Sequence, residues 1–137
     1  MVNKSLPTAS SVPGGKSFGE LDRILASGRF GGLANNTKWD ELIDEIRSWE
    51  SWRPSYRTKC INGYVAGWDV EWFYHLPFPF KYTLWFDIGC HQKTDDGHSL
   101  DRTSDLVLLV TKIGFEFEVR GDVLRIFSYT PKDYEAF

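Results

Sequence analysis

Three side chains that can carry acid–base chemistry lie close together in the segment WDVEWFYHL, residues 68–76. Asp69, Glu71 and His75 are separated by even numbers of residues, so in a strand they would point to the same face of a sheet. Two carboxylates and an imidazole on one face could transfer protons or contribute metal ligands. Neighbouring positions on that face would be about 6–7 Å apart, so a shared ion would need ligands from other segments.

The same segment also fits two plainer interpretations. It could be a strand with one buried aromatic face and one solvated polar face, or the polar face could bind a partner. The alternation predicts that the buried face meets Trp39 of a neighbouring helix at the centre of the core. The members of this face are predicted to be Trp68, Val70, Trp72, Tyr74 and Leu76.

A loop further along the chain contains the possible metal ligands Cys90, His91 and His98. Thiolate and imidazole groups bind zinc, but a structural zinc site needs four ligands at firm spacings. The chain has no C-x-x-C or H-x-x-x-H pattern. We therefore expect a surface turn with Asp96-Gly97 at its tip, and we predict neither a metal nor a cofactor.

A second group of titratable side chains is acidic and lies on a predicted helix. Carboxylates in the first turns of a helix are stabilising because they oppose the positive end of the helix dipole. They could instead form a negative surface that steers a basic partner. With the first group, they make up the candidate partner-binding residues Asp40, Glu41, Asp44, Glu45, Asp69, Glu71 and His75.

The helix that carries the acidic group is the most strongly patterned element of the chain. Apolar residues recur at three- and four-residue spacing, which predicts a helix at about 37–50, capped by Asn36 or Thr37 and followed by Pro54. A capping box of Ser17 and Glu20 predicts a shorter helix at about 18–27. The apolar stripe consists of Trp39, Leu42, Ile43, Ile46 and Trp49.

After Pro54 the apolar period changes from helical to alternating, which predicts a sheet. A third helix is expected at about 104–113, capped by Thr103 or Ser104 and ended by Gly114. The loop 89–100 is predicted to be polar and irregular. The predicted strands are 57–61, 64–76, 81–88, 115–119 and 123–129, with hairpin turns at Asn62-Gly63 and Arg120-Gly121.

These elements predict a single α+β domain at 17–137, with helices packed on a mostly antiparallel sheet in the order α-α-β-β-β-α-β-β. Residues 1–16 are rich in Ser, Pro and Gly and show no apolar period, so they are predicted to be a disordered leader. Residues 1–34 carry a net positive charge, whereas the rest of the chain is net negative. The acidic excess therefore lies in the predicted folded body.

Length and composition exclude several classes of protein. The chain has 137 residues and a formal net charge of −3, which suits one domain. Its longest apolar run is Leu106–Val110, whereas a transmembrane helix needs about 20 residues, so no membrane association is expected. Two cysteines are too few for a disulfide framework, which is typical of a reducing cytoplasm. No Lys/Arg stripe accompanies the aromatic residues, so we predict no nucleic-acid partner.

Several strings in the chain resemble a family of small bacterial proteins that is known only as a domain of unknown function. The resemblance covers roughly residues 35–130 and implies no catalytic residues. It rests on NNTKW at 35–39, YRTKC at 56–60, GWDVEWFYHLP at 67–77 and the closing FEVRGDVLRI at 117–126. In type, a small, acidic, aromatic-rich single domain also resembles the immunity proteins of bacterial toxin systems.

The leading hypothesis is therefore a cytoplasmic binding protein that neutralises a cognate bacterial toxin by occluding its active site. It rests on the acidic folded body, the surplus of aromatic residues and the lack of a catalytic signature. Trp, Tyr and Arg are the residues that dominate binding energy at protein interfaces. The alternatives are a small enzyme that uses Asp69, Glu71 and His75 for acid–base chemistry, and a non-catalytic adaptor.

Overall fold

A computed structural model describes residues 18–137 and confirms a single α+β domain. The predicted leader, residues 1–16, lies outside the described residues, as does Ser17 of the expected capping box. Within these residues the α-helices are α1 (Phe18–Ala26), α2 (Asn36–Ser48) and α3 (Thr103–Ile113), and a 3-10 turn spans Phe80–Tyr82. Among the described residues, no helix is both long and apolar enough to cross a membrane.

A four-stranded antiparallel sheet forms the centre of the domain. Its strands lie in the order β2-β3-β7-β6, so the last hairpin of the chain completes the sheet beside β3. The predicted final hairpin is confirmed, but its turn is at Gly121-Asp122, one residue later than the predicted Arg120-Gly121, because Arg120 still pairs with Val123. Gly121 has a φ of +57° that favours glycine. The four strands are β2 (Tyr56–Cys60), β3 (Thr83–Gly89), β6 (Phe117–Arg120) and β7 (Val123–Phe127).

Two small sheets lie beside the central one. The short strand β1 (Gly31–Gly32) pairs with β8 (Tyr129–Thr130). The segment predicted as an irregular polar loop instead contains a hairpin of β4 (His91–Lys93) and β5 (Ser99–Asp101). The tip of this hairpin is at Asp96-Gly97, as expected, because Gly97 takes a φ of +84° and its N–H donates to Thr94.

One face of the central sheet is covered by α2 and α3, and the main core lies between them. Trp39 of α2 is 3% exposed and stacks on Phe80 with ring centroids 4.7 Å apart, so its predicted place in the core is confirmed. The rest of the predicted helix stripe is buried except Trp49, which is partly exposed just past the end of α2. Other core members are Phe86, Ile88, Leu106, Val110, Leu124 and Ile126.

The opposite face of the sheet is covered by α1 and by the C-terminal segment. Leu21 of α1 is fully buried against a second apolar cluster that includes Trp85 and Tyr82. Residues 133–137 have no regular secondary structure, and the sheet binds them through side chains. The domain is therefore built of three layers, with the central sheet in the middle.

The strand predicted at 64–76 is wrong, as is the alternation of buried and exposed residues derived from it. After the confirmed turn at Asn62-Gly63, the chain contacts β2 through only two isolated bridges, Lys59 with Val65 and Tyr56 with Asp69. Beyond Asp69 it turns away from the sheet edge. The physical reason is local, because carboxylates within this segment accept backbone hydrogen bonds that a strand would give to a neighbouring strand.

The predicted helix caps also need correction. Asn35, not Asn36 or Thr37, caps α2, because its side-chain oxygen accepts from the Lys38 N–H at 3.0 Å. The first N–H of α3 is bound by the carboxylate of Asp101 at 2.9 Å, not by Thr103 or Ser104 acting as a cap. The predicted stop of α3 at Gly114 is confirmed, since this residue takes the left-handed conformation with φ +98°.

Candidate partner-binding surface

Asp69 and His75 come into direct contact, although no strand places them on one face. Asp69 Oδ2 lies 2.8 Å from His75 Nδ1, and Asp69 Oδ1 accepts from the N–H groups of Val70 and Glu71 at 2.7 and 2.9 Å. Burial alone would raise the pKa of Asp69, but these hydrogen bonds hold it below its usual value. The carboxylate therefore closes a turn and orients the imidazole at the same time.

Glu71 acts on the next turn of the same segment. One of its carboxylate oxygens accepts from three successive backbone N–H groups, those of Phe73, Tyr74 and His75, at 2.9, 2.5 and 3.3 Å. Burial alone would raise the pKa of Glu71, but this set of donors lowers it. The structure thus brings the three predicted side chains together, but it uses both carboxylates to shape the backbone.

Trp72 and Leu76 attach this segment to the core. Trp72 is 1% exposed, its indole N–H donates to the Pro54 carbonyl at 2.8 Å, and its ring meets Tyr56 edge-on at 4.9 Å. Leu76 is fully buried. The burial of these two residues confirms part of the predicted face, whereas Trp68, Val70 and Tyr74 are exposed and do not belong to it.

Exposed apolar side chains are concentrated in this part of the chain. Among residues 18–137, nine large apolar side chains are exposed, and six of them lie between residues 64 and 74. We call residues 64–74 the aromatic segment. Scattered exposed apolar residues are normal on a protein surface, but a concentrated group marks an interaction site. The six are Tyr64, Val65, Trp68, Val70, Phe73 and Tyr74.

Helix α2 contacts the aromatic segment through Arg47. Its Nε donates to the Trp72 carbonyl at 2.8 Å, and its guanidinium lies 5.2 Å from the centre of the Phe73 ring. Arg53 lies over the same ring at 5.1 Å. The aromatic segment and α2 are therefore adjacent parts of one surface, with arginines on the flank of Phe73.

The predicted acidic group lies on α2, and all four of its side chains are exposed. Because α2 begins at Asn36, its first turn contains no acidic residue, so the helix dipole explains little of this cluster. Moreover, two like-charged pairs stand four residues apart, Asp40 with Asp44 and Glu41 with Glu45, and each such pair destabilises a helix by about 0.2–0.5 kcal/mol. The helix thus carries charge that its own stability does not require.

Two shallow depressions border α2 and α3. One, of about 360 Å³, is bordered by Glu41, Asp44, Glu45, Leu109 and Lys112, among others. The other, of about 230 Å³, is lined by Trp49, Ser51, Trp52, Arg102 and Asp105. Sequence reasoning missed Trp52, whose ring stacks on that of Trp49 with centroids 6.0 Å apart.

The possible metal ligands lie in different environments. Cys90 is fully buried in the core, and the pKa of its thiol is raised mainly by burial. His91 pairs with Asp122 at 3.4 Å, and His98 pairs with Asp96 at 3.0 Å across the tip of the β4–β5 hairpin. Within residues 18–137, no group of three or more His, Cys, Asp or Glu side chains is placed to hold a metal ion.

Sequence reasoning also missed a row of charges, buried at its centre, on the face of the sheet that the C-terminal segment covers. Arg57, Asp87, Arg125 and Glu118 are direct cross-strand neighbours on β2, β3, β7 and β6. Asp87 and Arg125 are fully buried and bind through two hydrogen bonds of 2.6 and 2.9 Å. The sequence did contain a signal of this row, because charged residues at these positions interrupt otherwise apolar strands. Only the strand register shows that these residues are neighbours.

Comparisons with known proteins identify a family but no activity. Residues 21–133 match the Family of unknown function (DUF6678). No curated protein matches the chain, and no solved structure matches it either.

Proposed function

Because the chain belongs to the Family of unknown function (DUF6678), which carries no activity with it, we propose a function from the exposed surface itself. We propose that the protein is a cytoplasmic binding protein that neutralises a cognate bacterial toxin by occluding its active site. The observation that carries the proposal is the concentration of exposed apolar side chains in the aromatic segment. Tyr74, which is 77% exposed, is the most accessible of them.

The chemistry of this surface suits a protein ligand. Aromatic side chains give large contact areas with few rotatable bonds, and the best interface anchors are Trp, Tyr and Arg. Here the apolar side chains stand on a backbone that two carboxylates hold in shape, so little conformational freedom would be lost on binding. The acidic face of α2 beside them favours a partner with a basic surface and would accelerate association.

The enzyme alternative has one supporting observation, the Asp69–His75 contact of 2.8 Å. An imidazole oriented by a carboxylate is a common general base. However, one carboxylate oxygen of Glu71 accepts from three backbone N–H groups, which ties this side chain to the shape of the turn. The adaptor alternative uses the same surface without neutralising a toxin, and only the partner's activity separates it from our proposal.

The proposal is tested by expressing the chain in bacteria together with the product of each gene encoded beside it in its native genome. We expect one of these products to arrest growth when expressed alone and to be harmless together with this chain. The purified pair should form a stable complex in which the toxin's activity falls in proportion to the amount of this chain added. A complex that leaves the partner's activity intact would favour an adaptor.

Matched variants locate the binding surface. Tyr74→Ala should weaken the complex by about 2 kcal/mol or more if this residue is an anchor. Leu108→Ala is the control, because Leu108 is 71% exposed but lies on α3, outside the aromatic segment. Equal losses for the two variants, or none for either, would place the interface elsewhere and overturn the assignment of the aromatic segment.

A further inference from the structure

The C-terminal residues 133–137 are bound by the central sheet through an unusual set of contacts. Arg125 uses each of its five N–H donors, two on the carboxylate of Asp87 and three on the main-chain carbonyls of Asp133, Glu135 and Ala136 at 2.7–3.2 Å. Because the acceptors in the segment are carbonyls, the hydrogen bonds of this arginine recognise the backbone of the segment.

The side chains of the segment add charge to this attachment. Lys59 of β2 binds the carboxylate of Asp133 at 2.6 Å and that of Glu135 at 3.3 Å. Beneath the segment, strands β2, β3 and β7 offer three cations, Arg57, Lys59 and Arg125, against the single carboxylate of Asp87. The two carboxylates of the segment therefore balance a positive surface. The rings of Tyr134 and Phe137 also pack on the sheet. The attachment is therefore partly ionic, and its more exposed ionic contacts should weaken at high salt.

Arg57 joins this attachment to the aromatic segment. One of its guanidinium nitrogens donates to the Ala136 carbonyl, while its Nε binds Asp87 at 3.1 Å. The same guanidinium lies over the ring of Trp68, with Cζ 5.0 Å from the ring centre. Trp68 is otherwise 46% exposed. The one side chain thus contacts both the C-terminal segment and a member of the proposed binding surface.

We propose that residues 133–137 are a latch that positions Trp68 through Arg57. When the latch is docked, the Ala136 carbonyl and Asp87 hold the guanidinium over the indole ring. When it is released, the guanidinium loses an acceptor and becomes free to leave the ring, so Trp68 gains rotational freedom. If the latch is docked, Trp68 is held in place and affinity for the partner rises. Only this consequence of the inference rests on the proposed function.

The test uses the full chain and a readout that needs no partner. Asp133→Asn together with Glu135→Gln removes the ionic contacts of the latch without altering β2 or the aromatic segment. Backbone 15N relaxation at residues 134–137 reports release of the latch, and relaxation of the Trp68 indole N–H reports the position of the ring. We expect both to become more mobile, while the indole of buried Trp72 remains rigid in the same spectrum. Lys132→Met is the control, because Lys132 pairs with Glu116 at 3.1 Å, outside the latch.

A second variant distinguishes a relay from general loosening. Arg57→Lys keeps the charge but removes the planar group that stacks on the indole. In the Arg57→Lys variant, the Trp68 indole should already be mobile. Adding the two latch substitutions should then not increase its mobility further, and this non-additivity indicates coupled residues. A released latch with an unchanged Trp68, or additive effects of the two sets, would overturn the inference and leave the proposed function untouched. Loss of toxin binding in every form, including the unaltered chain, would overturn the proposed function instead.

Discussion

The guanidinium of Arg125 lies over the indole ring of Trp85, with its Cζ 3.6 Å from the ring centre, and both side chains are fully buried. The same guanidinium lies over the ring of Phe137 at 4.3 Å. Arg57 also lies over Trp85, at 5.4 Å, and over Trp68, at 5.0 Å. A ladder of alternating arginines and aromatic rings thus connects the C-terminal segment with the proposed binding surface.

The first prediction concerns Asp87, whose negative charge balances the arginines of the ladder. Asp87→Asn leaves Arg125 buried and without its counter-ion, and we expect the free energy of unfolding to fall by about 3–5 kcal/mol. Urea denaturation followed by fluorescence measures this change. Glu118→Gln is the control, because Glu118 pairs with Arg120 at the surface and should change stability by only about 0–1 kcal/mol. Similar values for both variants would refute the role assigned to the buried pair.

The second prediction concerns Trp72 and Trp39, which are 1% and 3% exposed. Replacing either by Ala should lower the free energy of unfolding by about 3–5 kcal/mol, because a large cavity opens in the core. Trp68→Ala should cost much less stability and should instead weaken partner binding. Thermal melts beside a binding assay check all three. A fully stable Trp72→Ala that no longer binds would show that Trp72 is an interface anchor.

The third prediction is that the acidic face of α2 lowers the free energy of unfolding of the domain and accelerates its association with a basic partner. Asp40→Asn combined with Glu41→Gln removes both like-charged pairs, and we expect stability at low salt to rise by about 0.2–0.5 kcal/mol per pair. The association rate with a basic partner should fall, most strongly at low salt. Stopped-flow mixing measures the rate. Asp95→Asn combined with Asp122→Asn removes the same charge from exposed loops away from α2 and should leave the rate nearly unchanged.

The fourth prediction is that acid loosens the aromatic segment. The pKa of Asp69 is lower in the folded protein than its ordinary value of about 3.9, so its contribution to stability is fully present above that value. The contribution should disappear as the pH falls through the lowered pKa. NMR titration of the Val70 and Glu71 amide protons, which bind Asp69, measures the midpoint. A midpoint well above pH 4 would contradict the hydrogen bonds assigned to this carboxylate, and Asp69→Asn should abolish the transition.

Local pattern was sufficient where an element obeys a single period or contains a strong stop signal. The stripe of α2, the end of α3 at Gly114 and the closing hairpin around Gly121 all follow from neighbouring residues in the sequence, and the structure confirms them. Such elements are predictable because their stability depends on contacts a few residues apart and on one buried face. The α+β class follows from their order along the chain.

The aromatic segment shows why local pattern fails elsewhere. Its alternation of polar and apolar residues is that of a strand, yet Asp69 and Glu71 bind nearby N–H groups and leave too few donors for a sheet. The pattern therefore identified the segment that contains the candidate site, but it predicted that Trp68, Val70 and Tyr74 are buried, whereas they are exposed. This sequence could form either the hydrogen bonds of a strand or those of local turns closed by Asp69 and Glu71. The packing of Trp72 and Leu76 into the core selects the turns.

By itself, the sequence determined the helices, most of the strands, the burial of Trp39 and Trp72 and the exposed acidic face of α2. The tertiary structure alone decided which charges become partners. Arg57, Asp87 and Arg125 are 30 and 38 residues apart along the chain, and only the strand register aligns them beneath the C-terminal segment. The physical reason is that a charged side chain at one position has no preferred partner until folding removes water and fixes its neighbours.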